Sequence, residues 1–257
     1  MKHKKQDEIS TLIKANISVL LEGQKGCGKS TILKNIAKDL EMDFYTISMT
    51  KQTTLNALIG FLSINGTYIP SQLRKAVEFG GLMLLDELDA GDPNVILCLN
   101  TLENGYLAFP DGIIEAHKDF RLCATSNPAG EHQMYTGRSK LDAATLDRFD
   151  VVWVDRDPQL EIILTDNNTY REVTLMRKVL SDNNMSKVLS MRDTIRLHKR
   201  KSIGLAKGYE ATLLGETSLV TSYLEKLKAE RPIPDASQAD CESIDHLWEI
   251  INAERNA

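Results

Sequence analysis

The chain has 257 residues, 42% of them hydrophobic and 26% charged, with a formal net charge of −5. That length allows one large domain or a core plus a smaller one, and the acidic balance argues against a strongly basic nucleic-acid binder. No apolar run approaches the ~20 residues that a spanning helix needs. The basic start at residues 1–8 lacks the apolar stretch of a signal peptide, so a cytoplasmic protein without a membrane span is expected. Cys27, Cys98, Cys123 and Cys241 lie far apart, and neither they nor the five histidines show metal-ligand spacing. Reduced thiols and no structural metal are expected.

Ile17-Ser18-Val19-Leu20-Leu21 is a short apolar run with β-branched residues and reads as a buried strand. It leads into Gly23-Gln24-Lys25-Gly26-Cys27-Gly28-Lys29-Ser30, which fits G-x-x-x-x-G-K-[ST], and Thr31 follows. In such a phosphate-binding loop the glycines let the backbone fold tightly, so that its N–H groups point at phosphate oxygens. Lys29 would reach the β- and γ-phosphates, and the Ser30 hydroxyl would hold Mg²⁺. Ile32, Ile36 and Leu40 then recur at helical spacing, so the loop opens a helix whose N-terminus favours an anion.

Asp43–Ser48 reads as a second strand and Thr54–Phe61 as a short helix. Asn65-Gly66, between apolar runs, predicts a β-hairpin. Gly81-Leu82-Met83-Leu84-Leu85-Asp86-Glu87 reads as a fully buried parallel strand with two acids at its carboxyl end, the edge where open α/β sheets bind ligands. Asp86 suits Mg²⁺ coordination and Glu87 suits polarising the water that attacks a γ-phosphate; a strand followed by a solvated acidic turn with Asp89 and Asp92 is the alternative. A long helix is expected from Asp92, as N-cap, through Pro93 to about Asn104, with Val95, Leu99 and Leu102 on its apolar face. Pro110-Asp111-Gly112 predicts a second hairpin. Arg121–Thr125 and Val151–Val154 read as further strands. Strands alternating with helices imply a parallel sheet covered on both faces.

Beyond Asp155 the pattern becomes helical. Val173, Met176, Val179 and Leu180 share one face, Ser190-Met191-Arg192-Asp193 has the form of a capping box, and Thr217–Glu230 reads as another helix. Arg231–Asp235 breaks it, and a last short helix is expected from Ser243 to Asn252. The expected division is an α/β nucleotide-binding core at residues 1–156 and a small all-α lid domain at 157–257.

The ordered motifs resemble the AAA+ ATPases over nearly the whole chain. Residues 23–30 look like Walker A, 82–87 like Walker B, and Thr125-Ser126-Asn127-Pro128 like sensor 1. Residues 141–149 look like the arginine-finger helix, and Ser190-Met191-Arg192 like sensor 2. The resemblance implies a P-loop NTPase fold that binds ATP with Mg²⁺ and hydrolyses it to ADP and phosphate. Asn127 would orient water or contact the γ-phosphate. Arg148 would reach a neighbouring subunit's site, and Arg192 would contact the nucleotide from its own lid. Arg148 as an ordinary surface arginine, paired with Asp147 or Asp150, is the alternative. Arg138 is a second candidate cation acting in trans. A finger in trans implies a homo-oligomeric ring, with a hexamer expected.

The two hairpins narrow the resemblance to the branch of MoxR-type ATPases and the magnesium-chelatase and cobaltochelatase ATPase subunits, and residues 80–89 and 104–112 look closest to cobaltochelatase-like and MoxR-like members. Members this small also occur in bacteriophages. A motor that remodels a separate protein, with a von Willebrand A-like domain as the expected client, is the leading reading. A DNA-acting ATPase, such as a helicase or replication loader gripping DNA near Lys51, Arg74, Lys75 and Lys118, is the alternative. A nucleotide-gated scaffold is the third, and Glu87, Asn127 and Arg148 argue against it. Cys27 stands where Thr or Ser is frequent, so a redox-sensitive loop and a merely tolerated small side chain are both open.

Overall fold

The computed structural model describes residues 2–128, 141 and 143–229. Two compact units divide the chain, Met1–Leu160 and Glu161–Ala257.

In the first unit, helix α1 (Gln6–Lys14) precedes strand β1 (Val19–Glu22) and helix α2 (Lys29–Asp39). Strand β2 (Phe44–Ser48) and helix α3 (Leu55–Ile59) follow, then the hairpin β3 (Phe61–Leu62) and β4 (Tyr68–Ile69). Helix α4 (Gln72–Phe79) enters strand β5 (Gly81–Asp86). After the short helix α5 (Pro93–Ile96), strands β6 (Tyr106–Phe109) and β7 (Gly112–Glu115) form the second hairpin. Strand β8 (Phe120–Ser126), helix α6 (Ala143–Leu146) and strand β9 (Asp150–Trp153) complete the unit. Five strands make one parallel sheet in the order β2-β5-β8-β1-β9.

Alternation across the pleat explains why these strands read as continuous apolar runs. Leu82 and Leu84 of β5 join Val19, Leu21 and Cys123 in a core shared with Ile9, Ile13, Ile32 and Ile36 of α1 and α2. Met83 and Leu85 face the other way and pack with Leu20, Ala124, Leu73 and Val77, together with hairpin residues Leu107 and Phe109.

The structure differs from expectation in three places. The long helix expected from Asp92 is a single α-turn followed by a 3₁₀ run at Leu97–Asn104. Ile96, Leu99 and Leu102 all pack into the core at a strict spacing of three, and only a three-residue turn keeps such a series on one face. Asp92 does cap the turn, its side chain accepting the Asn94 N–H, with Pro93 at the first position. Helices α1 and α4 have no counterpart among the expected elements. Each buries a narrow stripe, Ile9 and Ile13 in α1, and Leu73, Ala76 and Val77 in α4, so that charged residues mask the period. The buried acidic strand ends at Asp86, and Glu87 stands beyond it in the left-handed conformation at φ 57°.

In the second unit every described element is a helix. Helix α7 (Pro158–Leu164) spans the division, and α8 (Asn167–Asp182), α9 (Met191–Ser202), α10 (Tyr209–Leu214) and α11 (Thr217–Ala229) follow. Val173, Met176, Val179, Leu197, Leu213 and Tyr223 fill a core of their own. The capping box is present: the Asp193 carboxylate accepts the Ser190 backbone N–H at 2.9 Å. Buried Glu161 accepts from Arg177 at 2.6 Å and also from the Thr194 hydroxyl, which ties α7, α8 and α9 together. The break at 231–235 and the helix expected from Ser243 lie outside the described residues, as do Arg138, Asp142 and Cys241.

Candidate nucleotide site

Strand β1 ends at Glu22 and the chain turns at once into the loop 23–28. Gly23 is required by close approach, since a Cβ there would sit 2.1 Å from the Val154 carbonyl oxygen. Gly28 holds φ 99° at the N-cap of α2, a conformation that favours glycine. Lys29 and Ser30 open the helix, so the first free backbone N–H groups of α2 adjoin the loop.

The Lys29 side chain is 8% exposed. Its ammonium donates to the carbonyls of Gly23 at 2.5 Å and Gln24 at 3.1 Å, and to Oδ1 of Asn127 at 3.2 Å. Burial lowers its pKa below the ordinary 10.5, and the nearby Cys27, Asp89, Asp86 and Glu87 oppose that shift. Sequence spacing alone could not place Asn127, 98 residues away, against Lys29; the parallel pairing of β1 with β8 does so.

The Ser30 hydroxyl donates to Oδ1 of Asp86 at 2.8 Å, and the Thr125 hydroxyl donates to the same oxygen at 2.6 Å. Thr125 in turn accepts the backbone N–H of Glu87 at 2.9 Å. Neighbouring strands β5 and β8 therefore fix the two acids at the carboxyl edge of the sheet. The Ser30 hydroxyl and the Asp86 carboxylate are hard oxygen donors in contact, a set that fits Mg²⁺. Among the described residues no group of three or more His, Cys, Asp or Glu side chains could hold a metal ion, so phosphate oxygens and water would have to supply the remaining ligands.

Two participants carry no separate sequence signal. Asp89 is buried, and its carboxylate accepts the Asn127 backbone N–H at 3.3 Å, so it is not part of a solvated turn. Thr125 stands inside the sensor-like segment, yet its bonds to Asp86 and Glu87 depend on strand register. Cys27 is 1% exposed within the core beneath the loop, and burial raises its thiol pKa above the ordinary 9.0. The thiolate that a redox sensor needs is disfavoured there, which counts against the oxidation-sensitive reading.

Arg148 is not brought to this cluster. It precedes β9, and the Asp150 N–H bonds to the carbonyl of Ser18, just ahead of β1. Because β1 and β9 are parallel, Arg148 lies at the amino edge of the sheet and the phosphate loop at the carboxyl edge. Four residues of strand separate the edges, about 13 Å at the usual rise. There Arg148 lines a cavity of about 350 Å³ with Ser18, His117, Phe120, Thr145 and Phe149. Arg192 belongs to the second unit, at an exposed position in the first turn of α9. Of the basic residues near the hairpins, Arg74 is buried and ion-paired with Glu78 and Asp111, so it is not presented to a ligand.

A family model of the AAA domain, dynein-related subfamily, matches residues 18–149. The chain is 30% identical over 182 residues to midasin of Giardia intestinalis, which covers 64% of this chain and 4% of midasin. It is 28% identical to NorQ of Paracoccus denitrificans over 62% of each chain. With CbbQ of Hydrogenophilus thermoluteolus it shares 25% identity over 83% of this chain and 78% of CbbQ. It thus spans less than two thirds of midasin and of NorQ. NtrX of Brucella abortus has a similar fold, at a TM-score of 0.56 and 15% identity over 95% of this chain and 59% of that one.

Proposed function

The chain belongs to the AAA domain family, in its dynein-related subfamily, and from that premise we propose an ATP-hydrolysing ring motor that remodels a separate protein. The observation that carries the reading is the hydrogen-bonded set of Lys29, Ser30, Asp86, Thr125 and Asn127 at the carboxyl edge, with Glu87 anchored beside it. The loop 23–28 and the start of α2 would bind the triphosphate through backbone N–H groups, and Lys29 would donate to its terminal oxygens. Ser30 and Asp86 would hold Mg²⁺, which neutralises phosphate charge when bound. Glu87 would orient and polarise the attacking water, and Asn127 would position that water against the phosphate. Glu87 has a left-handed backbone just beyond the strand, and the bond from its N–H to Thr125 anchors it there.

Arg148 would complete the site from a neighbouring copy. Its place at the opposite edge supports that role, because it stands a full strand length from its own phosphate loop. A ring follows, with a hexamer proposed, and ATP would favour assembly. Residues 157–257 would act as the lid, with Arg192 reaching the nucleotide from α9. The client is proposed to carry a von Willebrand A-like domain. A mouse relative named von Willebrand factor A domain-containing protein 8, 30% identical over 44% of this chain and 7% of its own length, supports that choice. Burial of Arg74 counts against the DNA-acting alternative.

The experiment is Glu87→Gln in the full chain. ATP binding should persist while phosphate release stops, and the ATP-loaded variant should retain a von Willebrand A-type partner in a pull-down. Phosphate release at the parent rate would overturn the reading of the site. Capture of single- or double-stranded DNA in place of protein would overturn the reading of the client.

A further inference from the structure

The two inserted hairpins are separate ladders, and among the described residues no backbone hydrogen bond joins them. The Arg74 side chain touches both. Arg74, on α4, is 6% exposed. Its guanidinium lies 5.8 Å from the ring centre of Tyr68 in the first hairpin and 5.0 Å from that of Phe109 in the second. Both distances fall in the range of cation–π attraction, which strengthens when the cation is removed from water. The same guanidinium pairs with Asp111, in the turn of the second hairpin, at 3.2 Å, and with Glu78 one turn further along α4. Tyr68 is held in its turn, its hydroxyl donating to the Ile59 carbonyl at the end of α3 at 2.6 Å.

We propose that Arg74 is a positioning residue that clamps the two hairpins into one mechanical element, so that a displacement of either is passed to the other. The chemistry requires arginine. A flat guanidinium can lie against two rings while its edge nitrogens bond two carboxylates, and a lysine ammonium offers neither the plane nor the fork. Two carboxylates face one buried cation, so the charge is compensated where water cannot do it. The clamp also has a direct route to the nucleotide edge. Arg74 sits on α4, whose chain continues through Gly80 into β5, and β5 ends at Asp86 beside Glu87. That the hairpins carry the output of the motor rests on the proposed function; the clamp itself does not.

The test is hydrogen exchange on the nucleotide-free full chain, which needs no ATP turnover. Asp111→Asn lies in the second hairpin, yet amides of residues 61–69 in the first should exchange faster, by about tenfold. In the Arg74→Met background both hairpins should already exchange at the faster rate, and Asp111→Asn should add nothing. Arg74→Lys should behave like Arg74→Met. A merely structural arginine would not transmit the Asp111 change across hairpins, so an effect of Asp111→Asn confined to residues 106–115 overturns the proposal. If Arg74→Met does not fold, Asp111→Asn alone decides. Failure here would leave the Glu87→Gln result untouched.

Discussion

The two edges of the central sheet are built differently. At the carboxyl edge, side chains from α2, β5, β8 and the residue just beyond β8 are already within hydrogen-bonding distance of one another: Lys29 to Asn127, Ser30 to Asp86, Thr125 to Asp86. At the amino edge Arg148 lines a cavity with Ser18, His117 and Thr145 as well as Phe120 and Phe149, a strand length away from the phosphate loop. The first edge is organised to hold charge before any ligand arrives, and preorganised dipoles cost no reorganisation during reaction. The second offers a cation with no phosphate site of its own. On the proposed function one chain would supply two complementary half-sites on opposite edges, and catalysis would need two chains.

The largest effect is expected at the far edge: Arg148→Ala should lower ATP turnover by about 10⁴-fold with nucleotide binding intact. Mixing it with Glu87→Gln should restore activity, because some interfaces then pair an intact Glu87 with an intact Arg148. Steady-state phosphate release on the separate and mixed variants checks this, and no recovery would make Arg148 a residue of its own subunit. Glu87→Gln alone should reduce turnover by about 10³-fold, the usual scale for losing a general base. Lys29→Ala should instead weaken nucleotide affinity by about 10²-fold, as expected for a buried charge-assisted contact, which titration with a fluorescent ATP analogue would measure.

Acidity offers a finer test of the near edge. Burial holds the folded-state pKa of Lys29 below its ordinary 10.5. Between those two values the unfolded chain binds the proton and the folded chain does not, so this group's contribution to stability rises with pH there; at neutral pH the buried charge costs stability. A triphosphate beside Lys29 reverses the balance and favours the charged form. Affinity should therefore fall as pH rises through the lowered value, by at most about tenfold per unit. Calorimetry in buffers of different ionisation enthalpy should register proton uptake on binding at alkaline pH. The smallest effect is expected at Cys27: its thiol is buried and held protonated, so mild alkylation at neutral pH should leave turnover unchanged.

The phosphate loop, the buried acidic strand and the capping box were legible in the sequence because each uses contiguous residues. A cradle of successive backbone N–H groups, a run of two-sided burial and a reciprocal cap all leave their mark within ten positions. Both hairpins were legible for the same reason, through Asn65-Gly66 and Pro110-Asp111-Gly112. Partners far apart in the chain leave no such mark, and packing alone brings them together. Asp89 reads as a surface acid until β8 brings the Asn127 N–H to it. Arg74 reads as an exposed cation until two hairpins close over it. The 3₁₀ run after Asp92 reads as an ordinary helix until the core requires Ile96, Leu99 and Leu102 on one face. Local chemistry sets the phosphate loop and its acids, whereas strand register and packing decide which distant charges are buried and which partners they meet.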